Sequence, residues 1–78
     1  MTLEAALKKL TENRFGTRAM GIVSAAASRP VNPYDHFGHS IRRSWGYAYF
    51  RRLWMAGIIQ LTEAPKGRRG THWYILAD

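Results

Sequence analysis

Leu3, Ala6, Leu7 and Leu10 recur at intervals of three and four residues, while Lys8, Lys9 and Glu12 fall on other faces; that rhythm is the signature of a half-buried helix. Thr2 stands where an N-cap belongs and Glu4 lies in the first turn, so the pattern predicts a helix over 3–14. The Phe15-Gly16 pair is expected to close it, because glycine tolerates the left-handed turn that ends a helix. Thr17 is expected to cap a second helix, which carries Met20, Ile22, Val23 and the run Ala25-Ala26-Ala27 to about residue 28. Its small side chains permit close approach by another helix. Arg29-Pro30 stops it, and residues 29–40, with two prolines and a glycine, read as a loop. Inside that loop, Asn32-Pro33-Tyr34-Asp35 offers an N-cap, a proline at the first helical position and an acid in the first turn. One short helical turn ended by Gly38 is therefore expected.

The longest helix is predicted over 41–56, capped by Ser40 and stopped by Gly57. Ile41, Trp45, Tyr49 or Ala48, and Leu53 with Ala56 are its expected core stripe, leaving Arg42, Arg43, Tyr47, Arg51 and Arg52 on other faces. Gly46 inside this helix costs roughly 1 kcal/mol relative to alanine, and so predicts close approach by another backbone or a sugar-phosphate chain. Two runs rich in β-branched and aromatic residues follow, 58–62 and 71–76, around a segment of proline, glycine, lysine and arginine. That is the form of a β-hairpin with a longer loop. Ile59 and Leu61 share one face, Trp73 and Ile75 share a face, and His72, Tyr74 and Leu76 take the other face of the second strand.

Composition narrows the partners. Twelve Lys and Arg against five Asp and Glu give a formal charge of +7 on 78 residues, which draws polyanions, nucleic acid foremost. There is no cysteine, so no disulfide or thiolate site contributes, and a chain that is 46% hydrophobic can supply one modest core in a single domain over 1–78. No apolar run approaches the roughly 20 residues that cross a bilayer, and the first residues lack the organisation of a secretion signal; a cytoplasmic location is expected.

Helices followed by a hairpin with a cationic tip resemble the winged helix-turn-helix family, most closely over "YFRRLWMAGIIQL", "KGRRG" and "WYIL". Leu53, Gly57 and Ile58 match the point where that family's recognition helix gives way to the first wing strand. Residues 64–70 match the wing's turn and 71–76 its return strand. The resemblance implies an α+β fold, a small winged helix-turn-helix of three main helices followed by a C-terminal β-hairpin wing. It also implies a DNA-binding, transcription-regulating role of phage or plasmid type. Carried over, Ser40, Arg42, Arg43, Ser44 and Tyr47 become candidates for base edges and nearby phosphates, and Lys66, Arg68 and Arg69 become wing contacts. Arginine's planar fork suits guanine edges and phosphate oxygens, and hydroxyls suit phosphates. Arg51, late on the helix, is a further candidate that could equally offset the carbonyl end of the helix dipole. The family's paired helices are joined by a short turn, whereas here residues 29–40 separate the second helix from the long one. The pair is either those two, or the short 33–38 turn with the 41–56 helix.

Other chemistry weighs less. Trp45, Trp54 and Trp73 suggest stacking platforms for unpaired bases, although large core residues serve packing more often. Trp54, one position off the stripe, suggests a surface for self-association, and one helix plus one wing offers limited specific contact, so a homodimer is expected. Asp35, His36 and His39 invite a metal reading that the absence of cysteine weakens. No nucleophile stands beside a base and an orienting acid, no convergent carboxylates appear, and nothing calls for a cofactor or a small-molecule substrate, so the chain is not expected to be an enzyme. The rival to double-stranded DNA is an acidic protein partner, docked on and blocked by the same basic face; structured RNA or the ribosome is the third reading.

Overall fold

The structure, a computed structural model, describes residues 1–38 and 43–78, the side chains of Arg43 and Ser44 excepted. Its described elements are α1 (Leu3–Glu12), α2 (Thr17–Ser28), α3 (Pro33–Phe37), α4 (Arg43–Met55), β1 (Ile59–Thr62) and β2 (Trp73–Leu76). The class is α+β: helices followed by a two-stranded antiparallel hairpin, a layout compatible with a small winged helix. The expected cap of the long helix at Ser40, the opening of its stripe at Ile41, the contact candidate Arg42 and the metal candidate His39 lie outside the described residues.

Local chemistry explains where the helices begin and end. Thr2 caps α1 as predicted, its hydroxyl accepting from the Ala5 N–H at 3.1 Å. The end of α1 differs from expectation. Arg14, not Gly16, takes the left-handed position with φ 58. Its N–H donates to Thr11 O and the Phe15 N–H reaches back to Leu10 O at 2.9 Å; this paired closure brings the partly buried Phe15 against the core. Gly16 thereby becomes the extended N-cap of α2, and Thr17, expected as that cap, is the first helical residue instead. A non-glycine residue held left-handed costs about 1–2 kcal/mol. Arg14→Gly is accordingly expected to raise stability by roughly 0.5–1 kcal/mol, the glycine's greater freedom in the unfolded chain offsetting part of the gain; urea denaturation measures it.

The same closure ends α4, with glycine in its usual place. Gly57 has φ 74, its N–H donates to Trp54 O, and the Ile58 N–H reaches Leu53 O at 3.0 Å. Leu53 and Ile58 are both fully buried, so the turn that stops the helix also seats the first residue of the hairpin in the core. Short α3 forms as its residues dictate. Asn32 caps it by accepting from the Asp35 N–H, Pro33 opens it, and Gly38, at φ 57, closes it.

The buried set is Ala6 and Leu10 from α1, Ala19, Ile22, Val23 and Ala26 from α2, Val31 from the α2–α3 connection, Phe50 and Leu53 from α4, and Ile58, Ile59 and Tyr74 from the hairpin segment. This corrects the expected stripe of α4. Trp45 is 57% exposed, whereas Phe50 is fully buried and Gly46 faces α3. The reason is rotational: each step of four residues overshoots a full turn by about 40°, so a run spaced strictly by four walks off the core face, while Gly46, Phe50 and Leu53, spaced four and three, stay on it. Gly46 has a close neighbour, but side chains rather than the expected backbone or sugar-phosphate chain: a Cβ there would lie 3.0 Å from the Phe37 ring and 3.7 Å from the Pro33 side chain.

The hairpin pairs Ile59 with Leu76 and Leu61 with Tyr74, so these four side chains share the helix-facing side. Leu61, at its outer end, is 48% exposed. The opposite side is not simply solvated. Trp73, on that side, is 1% exposed because the loop between the strands folds back over it. A further pairing lies within what the sequence marks as loop: Val31 bridges Tyr74, with N–H to O bonds of 2.9 and 2.7 Å in both directions. This bridge fastens the α2–α3 connection to the hairpin.

Candidate nucleic-acid interface

The cations of α4 do not share one face. Arg52 turns toward the first two helices, its guanidinium 4.9 Å from the Phe15 ring centroid, and Arg18 of α2 lies 6.0 Å from the Tyr49 ring on that same side. Arg51 turns the other way. With Tyr47 one turn earlier and Trp54 one turn later, it lines a groove of about 380 Å³ whose far wall is Leu61, His72 and Tyr74 of the hairpin. Tyr47 and His72 hold the two walls together through an edge-on ring contact at 5.5 Å between centroids. Of the predicted α4 contacts, then, Tyr47 and Arg51 stand on the hairpin side. Arg43 and Ser44 belong to the first turn of α4, and Ser40 and Arg42 lie outside the described residues.

The loop joining the strands carries Lys66, Arg68 and Arg69, all exposed. Their placements differ. The Arg68 guanidinium pairs with the Asp35 carboxylate of α3 and lies over the Trp73 ring, 5.2 Å from its centroid. The indole N–H of Trp73 donates to Arg69 O at 3.0 Å, and Gly67 and Gly70 supply the positive φ values, 82 and 107, that bend the loop back. Arg68 is therefore partly a structural residue, tying the loop to α3, though half of its side chain stays exposed. An ion pair as open as this contributes at most about 1 kcal/mol, so its role is chiefly orientation. Lys66 and Arg69 are the loop's exposed cations with no ion pair among the described residues.

Asp35, which with His36 and His39 invites a metal reading in the sequence, pairs with Arg68, a use with no local signal. His36 stands instead among aromatic rings, edge-on to Phe37 at 4.8 Å and to Phe50 at 6.1 Å. Burial, and then the positive charge of Arg29, hold its imidazole below the ordinary value of 6.5. The sign follows from linkage. As pH falls through 6.5 the unfolded chain takes up a proton that the folded chain resists, so stability present above 6.5 declines toward the lower folded value. The denaturation midpoint is expected to drop over that window in the native chain, and His36→Asn should remove that part of the pH dependence. Tyr74 moves in the opposite sense, its phenol raised by burial and by the neighbouring Tyr47, and it stays neutral at physiological pH.

On the α1–α2 side, Trp45, Ala48, Tyr49 and Arg52 outline a shallower hollow of about 220 Å³. Trp45, Trp54 and Met55, at 57%, 45% and 70% exposure, make α4 the element with the most exposed large apolar surface. No helix among the described residues is long and apolar enough to cross a membrane. Comparison with family models, with curated proteins and with solved structures finds no match to this chain.

Proposed function

We propose that this chain binds double-stranded DNA through α4 and the hairpin loop, as a small regulatory protein without catalytic activity. The observation that carries the reading is the joint between them. Tyr47, on the same helix face as Arg51, meets His72, which follows in sequence the loop that presents Lys66 and Arg69, while the Asp35–Arg68 pair and the Trp73 N–H hold that loop in one orientation. A cation group on a helix and a second group on an anchored loop can span a groove and the adjacent backbone, which is what phosphate-dominated binding requires.

The layout supports the winged-helix resemblance in a particular form. Short α3 precedes α4 by residues 38–42, and the two pack closely at Gly46, which favours α3 and α4 as the helix pair and α4 as the recognition helix. In this reading Ser40, Arg42, Arg43 and Ser44 lead α4 into the major groove, and Lys66 and Arg69 take phosphates. One copy covers about one half-site, so two copies on adjacent half-sites are expected.

A gel-shift titration tests the reading, using labelled random-sequence duplex DNA with transfer RNA or polyglutamate as competitor. The expected result is a duplex shift that weakens steeply with salt and is relieved less by transfer RNA or polyglutamate than by unlabelled duplex. Failure to shift duplex at low salt would overturn the proposal, and preferential capture by polyglutamate would transfer the basic face to an acidic protein partner.

A further inference from the structure

The groove between α4 and the hairpin is more aromatic than phosphate binding needs. Tyr47, Trp54 and Tyr74 line it with His72 and Leu61, and Arg51 is its arginine. Trp54 is 45% exposed although it follows the fully buried Leu53, and Leu61 opposite is 48% exposed although its strand neighbour Ile59 is buried. The floor is Tyr74, 5% exposed and neutral, packed on Phe50 with ring centroids 5.5 Å apart. A cleft of this volume falls in the range that small planar ligands occupy. Its composition, flat rings with one cation at the wall, matches what nucleobases use when they are out of a duplex: every base has a face to stack, and the phosphate beside it needs a positive partner.

We infer that the α4–hairpin groove is a binding site for an unpaired nucleobase of single-stranded DNA. The base stacks on Trp54 against the Leu61 side of the groove, and Arg51 neutralises the adjoining phosphate. The inference rests on the nucleic-acid reading above and adds to it a second binding mode, one that senses bases out of the helix without reading their sequence. Such a site would let the protein hold a strand where a duplex is opened.

Fluorescence anisotropy tests it on the full chain with three probes of equal length: duplex DNA, oligothymidylate, and an abasic oligomer that keeps every phosphate and lacks the bases. Oligothymidylate is expected to bind about tenfold more tightly than the abasic oligomer, with quenching of tryptophan fluorescence, since one stacked base contributes on that order. Trp54→Ala should remove this difference while leaving abasic affinity unchanged, and Trp54→Phe should restore most of it. Both substitutions fall on an exposed side chain, and circular dichroism confirms that each variant is folded. Equal affinity of the native chain for the two single strands, or a base-dependent difference that survives Trp54→Ala, would overturn the groove as a base site while duplex binding stands. Absence of binding to all three probes would overturn both it and the DNA reading.

Discussion

Phe50→Ala is expected to remove a large share of the stability of this protein. Phe50 is fully buried and touches three ring systems, with Phe37 at 6.2 Å, His36 at 6.1 Å and Tyr74 at 5.5 Å between centroids. Truncating a buried phenylalanine costs about 3–5 kcal/mol, against a total of roughly 4–12 kcal/mol for a chain of 78 residues. The loss is large because no second core can take the load, and because Phe50 joins α3, α4 and the hairpin at one point. Trp45→Ala, at a position 57% exposed, should cost less than about 1 kcal/mol. Urea denaturation followed by far-ultraviolet circular dichroism measures both. A Trp45 effect as large as that of Phe50 would put the wrong face of α4 against the core.

Removing both exposed loop cations, Lys66→Ala with Arg69→Ala, is expected to give the largest loss of DNA affinity that leaves the fold intact. If the complex engages about five phosphates, log affinity falls with log salt at a slope of roughly −4.5, and two fewer contacts bring it to about −2.7. At about 0.1 M salt each lost contact then costs roughly eightfold, so the pair costs on the order of sixtyfold. The loss should shrink toward nothing as salt approaches about 1 M, since it is counterion release that is forfeited. Arg68 is left in place because its pairing with Asp35 and its position over Trp73 hold the loop. An unchanged slope in the double variant would remove the loop from the interface.

Much of this architecture is legible in the sequence, and the failures are instructive. Thr2, the Asn32-Pro33-Tyr34-Asp35 turn, Gly57 and the two strands could be read because each depends on neighbours a few residues away. The end of α1 could not, because two residues compete for the left-handed position and the packing of Phe15 against the core goes with Arg14. The stripe drawn through Ile41, Trp45, Tyr49 or Ala48, and Leu53 with Ala56 holds at the buried Leu53, but it takes the exposed Trp45 for core and passes over Phe50. Contacts distant in sequence were invisible: the Val31–Tyr74 bridge, the Asp35–Arg68 pair and the roof over Trp73 join segments with no local signature. At the site, the cations could be named from composition and order, but not their division. That Arg51 turns to the hairpin and Arg52 to Phe15 follows from where the core face lies, so an error in the stripe becomes an error in the interface.

Backbone amide shifts recorded during titration with duplex DNA test the central claim most directly. Perturbations are expected along α4 at Tyr47 and Arg51 and in the loop from Lys66 to Arg69, while Lys8 and Lys9 of α1 stay unmoved. Perturbations centred on α1, or confined to the Trp45–Arg52 side of α4, would contradict it.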